Sequence, residues 1–187
     1  MTRDQLLHLL RASAQVLRDR GAEHLQGELV VIGSQSILGQ YPEAPATLTR
    51  SMEADIYPLR DPSMAEYIDG ALGEGSAFHG TYGYYAQGVA PETATLPAGW
   101  RERLIEVISP APIRAIGLCI EVHDLAISKY VAGRDKDLAF NRELARYKLA
   151  RKAVLLARLA ATELDDERRR LVRGRIALHF RAPGRST

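Results

Sequence analysis

Apolar side chains recur at near-helical spacing over Leu6, Leu7, Leu9, Leu10, Ala14, Val16 and Leu17, with Thr2 ahead of Arg3 and Asp4 and with Gly21 past the last of them. A capping threonine, an acid in the first turn and a glycine stop predict one amphipathic helix. Glu28-Leu-Val-Val-Ile32 is a short β-branched run closed by Gly33, the pattern of a strand buried on both sheet faces. Ser34 follows at once, so strand, tight turn and helix N-terminus are expected in succession. Beyond a proline-containing loop over Tyr41 to Thr47, Ser51-Met-Glu-Ala-Asp-Ile-Tyr57 alternates polar and apolar and stops at Pro58. That alternation predicts a second strand with Ser51, Glu53 and Asp55 on one face.

Asp61-Pro62-Ser63 reads as a turn and N-cap for a helix through Leu72. Gly73 to Gly99 is rich in glycine and aromatics, which favours strand and loop over helix. Leu104 to Ile108 and Ile113 to Ile120 are apolar strand candidates flanking Pro110 and Pro112. From His123 the period is helical almost to the end, most strongly over Asn141 to Leu159 and Thr162 to Val172. The expected fold class is α/β (α+β). A mixed-sheet core over residues 1–122 carries a basic helical part over 123–187, the two packed as one compact domain.

Composition narrows the function. Among 187 residues, 46% are hydrophobic and 26% charged, a globular balance rather than that of a disordered chain. No apolar run approaches the ~18 residues a membrane span needs. The N-terminus places Arg3, Asp4 and Arg11 inside its apolar pattern, unlike a signal peptide, so a cytoplasmic location is expected. Cys119, the single cysteine, stands in the apolar run Ile-Gly-Leu-Cys-Ile and reads as a buried structural thiol. The net charge of +2 hides a polarity: residues 1–99 hold 6 Lys+Arg against 12 Asp+Glu, net −6, whereas 100–187 hold 19 against 11, net +8. A basic half suits a polyanionic partner, and equally a solvated helical face.

The chemistry-bearing residues cluster early. Gly33-Ser34, where a strand opens into a helix, would present backbone N–H groups to a phosphate. The spacing is neither a dinucleotide fingerprint nor a P-loop, and Gln35 occupies the slot a nucleophile elbow gives to serine. Glu53 and Asp55, two apart on a strand, project from one face about 7 Å apart at Cα, a spacing that can hold Mg²⁺. Lys129 and Asp137 flank Gly133 and the cluster Arg134-Asp-Lys-Asp137, where a break between two helices would let both reach one site. There a lysine can grip a triphosphate and an acid can complete a metal site or take a proton. Asp124 is read as the N-cap of that helix. His123 lacks enough soft or imidazole company for zinc. Tyr82, Tyr84 and Tyr85 suit either base stacking or packing.

In order, Val31-Ile-Gly33-Ser34, Ser51-Met-Glu53-Ala-Asp55-Ile, Asp124-Leu-Ala-Ile-Ser-Lys129 and Arg134-Asp-Lys136-Asp137 resemble the nucleotidyltransferase superfamily, specifically the AbiEii-type or MenT-type toxins of bacterial toxin–antitoxin systems. The resemblance covers residues 25 to about 145 and implies a nucleotidyltransferase-like fold. It implies that Gly33 and Ser34 hold the β- and γ-phosphates of a nucleoside triphosphate (NTP), that Glu53 and Asp55 bind Mg²⁺, one or two ions, and that Lys129 and Asp137 act in catalysis with Lys129 also on the phosphates. The implied activity adds nucleotides to the 3′ end of tRNA, releasing diphosphate and blocking translation, under the control of a cognate antitoxin and of phosphorylation near the acid motif, with Ser51 the candidate. Glu53 stands where the family more often has Asp. A catalytically weak member that binds RNA or protein as a regulator is the alternative.

Overall fold

The computed structural model describes residues 1–22, 25, 27–110 and 114–181. The first helix, α1 (Arg3–Asp19), forms as its pattern predicts: Thr2 and Gln5 make a reciprocal capping box, and Gly21 turns the chain away at φ +74°. Leu6, Leu9, Leu10, Ala14 and Leu17 are its buried stripe. Strands β1 (Glu28–Val31), β2 (Glu53–Pro58), β3 (Tyr85–Gly88), β4 (Ile105–Ile108) and β5 (Ile116–Cys119) make one mixed sheet in the order β3-β2-β1-β5-β4. β1 is parallel to β5 and antiparallel to β2, β2 is parallel to β3, and β4 is antiparallel to β5. Central β1 is buried throughout its apolar residues, as its unbroken β-branched run requires.

Register sorts the side chains by face. Ala54 and Ile56 share a face with Ala86, Leu29, Val31, Gly117 and Cys119, and this is the face under the helices α1, α2 (Ile37–Gln40) and α3 (Ala65–Leu72). The fit there is close: a Cβ on Gly117 would meet Leu10, one on Gly39 would meet Cys119, and one on Gly88 would meet the Ala65 carbonyl. Burial against this layer pushes the Cys119 thiol up to about 12, so it is the inert structural thiol the sequence suggests. Glu53 and Asp55 stand on the opposite face of β2, level with Tyr85 and Gln87 of β3.

Three elements differ from expectation. β2 begins at Glu53, so Ser51 lies in the turn before the strand and not on its face. The glycine- and aromatic-rich segment contains a helix, α4 (Ala77–Tyr82), capped by the Ser76 hydroxyl at the His79 N–H and ended by Gly83 at φ +75°. The helical pattern from Asn141 to Leu159 is split: α6 (Asp135–Arg146) ends where Lys148 takes a left-handed φ of 58°, and α7 (Lys152–Ala160) follows. Of the strand expected from Ile113, that residue lies outside the described ones.

The chain divides into two compact units, Met1–Ala94 with Arg101–Glu121, and Thr95–Trp100 with the chain from Val122. The second is helical: α5 (Val122–Ala132), α6, α7 (Lys152–Ala160) and α8 (Asp166–His179) bury Ile127, Tyr130, Leu144, Leu155, Leu159, Val172 and Ile176. Thr95–Trp100 joins it through the Ala98 N–H, which donates to the Ala161 carbonyl at 2.8 Å. Several of its basic residues are spent on structure rather than on a charged face. Arg169 donates to the Leu159 and Thr162 carbonyls, Arg175 donates to the Tyr130 carbonyl, and Arg158 pairs with fully buried Asp124 at 3.0 Å. Arg142, Arg146, Lys152, Arg168, Arg170 and Arg173 remain exposed.

Candidate active site

After β1 the Ile32 N–H donates to the Asp55 carbonyl at 3.1 Å, which carries the chain past the end of the ladder beside β2. Gly33 then caps a single 3₁₀ turn, Ser34–Ser36, followed directly by the four-residue α2. Ser34, the expected capping residue, lies inside the turn with no side-chain cap formed, and so short a helical run has little macrodipole to offer an anion. The glycine is required by space: its φ is an ordinary −82°, yet a Cβ there would lie 1.9 Å from Asp55 Oδ2. The Asp55 carboxylate therefore rests against the backbone of the Gly33 turn.

Glu53, the other acid on this face, is half-buried and held from three directions. The Ser51 hydroxyl accepts from its N–H at 3.1 Å and donates to its carbonyl at 3.3 Å. Behind Ser51, the wholly buried Gln35 donates from Nε2 to the Ser51 carbonyl at 2.8 Å, joining the turn after Gly33 to the start of β2. The Tyr85 hydroxyl donates to Glu53 Oε2 at 3.4 Å. Burial, then the charge of Glu53, holds the Tyr85 phenol above its ordinary pKa, so it keeps the proton it donates. Gln35 Oε1 and Ser36 Oγ are buried without a hydrogen-bond partner, an arrangement that costs free energy unless water or ligand completes it.

In the helical unit, Gly133 at φ +65° separates α5 from α6, and the break brings Lys129 and Asp137 together as expected. Lys129 Nζ lies 3.2 Å from Asp137 Oδ1, and Arg134 Nε lies 2.6 Å from Oδ2. Burial pushes the Asp137 carboxyl up, but the hydrogen bond from Arg134 and the charge and hydrogen bond of Lys129 outweigh it and leave it below the usual range. Asp124 is no N-cap: it sits inside the first turn of α5, bound to Arg158. His123 is structural, accepting the Arg151 N–H at 3.0 Å.

Residues 5–164 match the model of the family described as nucleotidyltransferase of unknown function (DUF6036). The chain belongs to that family. No curated protein and no solved structure matches it. Membership reaches the superfamily the motifs resemble without separating its toxin branch from the rest. The matched span includes all of Gly33, Ser34, Glu53, Asp55, Lys129 and Asp137, and α8 lies beyond it.

Nucleotidyltransferases as a class work on NTPs with a divalent metal, and the residues around Gly33 fit such an ion. Two carboxylates on one strand face are hard oxygen donors of the type Mg²⁺ takes, and the missing Cβ of Gly33 leaves room for the Asp55 carboxylate. Among the described residues no group of three or more His, Cys, Asp or Glu is placed to hold a metal. An ion here would draw its other ligands from water and phosphate oxygens. No helix of the described residues is long and apolar enough to cross a membrane.

The sequence reading missed Gln35 and the part Tyr85 takes. Gln35 carries no motif; its role follows only from two loops meeting. Tyr84 and Tyr85 are the same residue type in one aromatic-rich segment, yet adjacent strand residues face opposite ways. Tyr84 is buried, with its hydroxyl 2.7 Å from His8 Nδ1, while Tyr85 faces the acids. Alternation alone would have separated them.

Proposed function

We propose that this family member is an Mg²⁺-dependent nucleotidyltransferase, and one observation carries the reading: the Asp55 carboxylate lies against the Gly33 turn, on a strand whose other outward acid is Glu53. Acids beside a glycine turn suit a metal-bound triphosphate, with Glu53 and Asp55 holding the ion and Gly33 and Ser34 meeting the β- and γ-phosphates. The bound ion supplies neutralisation of the phosphate oxygens and of the charge on the leaving diphosphate. The acceptor hydroxyl oxygen bonds to the α-phosphorus, the bond from that phosphorus to the bridging oxygen breaks, and diphosphate leaves with the electron pair. The hydroxyl proton passes to a base. Asp137 as that base and Lys129 as a phosphate ligand rest on the resemblance.

The finer reading is a toxin that adds nucleotides to the 3′ end of tRNA in the cytoplasm and is restrained by a cognate antitoxin. Its support is the toxin-like motif order together with the net +8 of residues 100–187, several of whose arginines are exposed. A weakly catalytic RNA- or protein-binding regulator is the second reading, favoured by the mutual engagement of Lys129 and Asp137. Incubation of the pure protein with each labelled NTP, Mg²⁺ and total tRNA separates the two. Label in RNA supports the enzyme, RNA retained without label supports the regulator, and the absence of both removes RNA as the partner.

A further inference from the structure

We propose that Tyr85 is the positioning residue that makes a glutamate workable at the first metal position, an inference that rests on the reading of Glu53 and Asp55 as metal ligands. A glutamate carries one more rotatable bond than an aspartate, and Mg²⁺ demands near-ideal octahedral geometry, so an untethered Glu53 loses affinity to conformational freedom. The structure provides a tether. The Tyr85 hydroxyl donates to Oε2 of Glu53 at 3.4 Å, leaving Oε1 for an ion, and β2 and β3 place these two residues directly opposite in register.

Tyr85 is itself held. The His79 ring lies against it, with centroids 4.7 Å apart and planes inclined by 49°. His79 Nδ1 accepts the Gly75 N–H at 3.0 Å, fixing that ring in turn. His79 stands in α4, whose cap, Ser76 at the His79 N–H, sets its place. A chain of contacts thus runs from the Gly75 turn through His79 and Tyr85 to the carboxylate. It uses a segment with no resemblance to a metal motif.

The test is Mn²⁺ binding, followed by electron paramagnetic resonance without nucleotide, on the wild type, Tyr85→Phe, Glu53→Asp and the double variant, with Asp55→Asn as control. Loss of the hydroxyl from a charged partner at this long distance is expected to weaken Mn²⁺ about fivefold in the Glu53 background. In the Glu53→Asp background, where the shorter side chain no longer reaches the phenol, Tyr85→Phe is expected to change nothing. Equal weakening in both backgrounds would make Tyr85 a general support of β3, and no weakening in either would remove the tether; both overturn the proposal. If Asp55→Asn binds Mn²⁺ as the wild type does, the metal site itself is wrong and the inference falls with it. Loss of Mn²⁺ in Asp55→Asn alone leaves the site standing and refutes only the role of Tyr85. Matching thermal unfolding temperatures establish that Tyr85→Phe is folded.

Discussion

Replacing Gly33 by alanine tests the candidate site at its most constrained point. The backbone there has φ −82° and ψ −171°, which any L-residue adopts, so the substitution carries no conformational strain of its own. The new methyl would lie 1.9 Å from Asp55 Oδ2 and 2.8 Å from Cγ, where ordinary contact begins at 3.4 Å, so the carboxylate must retreat by about 1.5 Å. Asp55 is only half-buried and can turn away, at an off-rotamer cost of about 0.5–1.5 kcal/mol. That corresponds to an unfolding temperature lower by about 1–6 °C in a chain of this size. Displacing a metal-holding group by more than 1 Å costs roughly a hundredfold in rate. The variant should therefore be folded, slightly less stable and nearly inactive in labelled-nucleotide transfer. Gly70→Ala is the matched control: a Cβ there meets nothing within 4 Å, and alanine in α3 should add about 0.5–1 kcal/mol of stability with activity unchanged. A Gly33→Ala protein that transfers nucleotides at the wild-type rate would show that the Asp55 carboxylate acts elsewhere.

The remaining predictions concern the acids and Ser51. Glu53→Ala and Asp55→Ala should each abolish transfer while keeping the unfolding temperature at or above that of the metal-free wild type, because each relieves a like-charge pair; calorimetry with and without Mg²⁺ checks both. Asp137→Asn should cost about 3 kcal/mol, or about 6–12 °C in unfolding temperature, since it removes the fully buried carboxylate that Lys129 and Arg134 share. The Asp137 carboxyl titrates below its unfolded value of about 3.9, so its stabilisation is complete above that pH and is lost as pH falls through the lowered value. Acid unfolding of Asp137→Asn should lack that component. At Ser51, whose hydroxyl is bound to the Glu53 backbone, a phosphate would add about −1.5 to −2 charge beside the acid pair. Ser51→Asp, which can still accept the Glu53 N–H, should fold and be inactive, while Ser51→Ala should retain partial activity in the same transfer assay.

What the sequence disclosed tracks what is locally encoded. Thr2, Gln5 and Gly21 bound α1 through caps acting within a few residues, and the β-branched run of β1 needed only burial to become a central strand. Glu53 and Asp55 were placed on one face by alternation alone. The misreadings have equally definite causes. The end of α6 is marked by neither glycine nor proline: Lys148 takes a left-handed conformation unaided by its residue type, so the helical period of the sequence runs straight through. In α4 a Ser cap and a Gly stop bracket only six residues, too few to establish a period among so many glycines and aromatics. Gln35 and Ser51 meet across 16 residues, and no local pattern reports such a meeting. The net +8 of residues 100–187 overstates the charge open to a partner, because charge is visible in a sequence and its partners are not: Arg158, Arg169 and Arg175 are tied to a buried acid or to backbone carbonyls.

The place of β1 in the sheet bears on how the chain is made. One edge of β1 is met early by β2, but the other pairs in parallel with β5, joining Glu28 to Ile116 in register. At ribosomal speeds of about 5–20 residues per second, the second edge waits roughly 4–18 s for its partner to be synthesised. During that interval the apolar run Leu29-Val-Val31, with only Glu28 charged, leaves an unpaired strand edge facing the cellular milieu, the kind of template on which other extended segments pair. Productive yield of this protein in a cell is thus set by how long β1 is kept from wrong neighbours during translation, and slowing synthesis between the two strands should send more of the chain into aggregates.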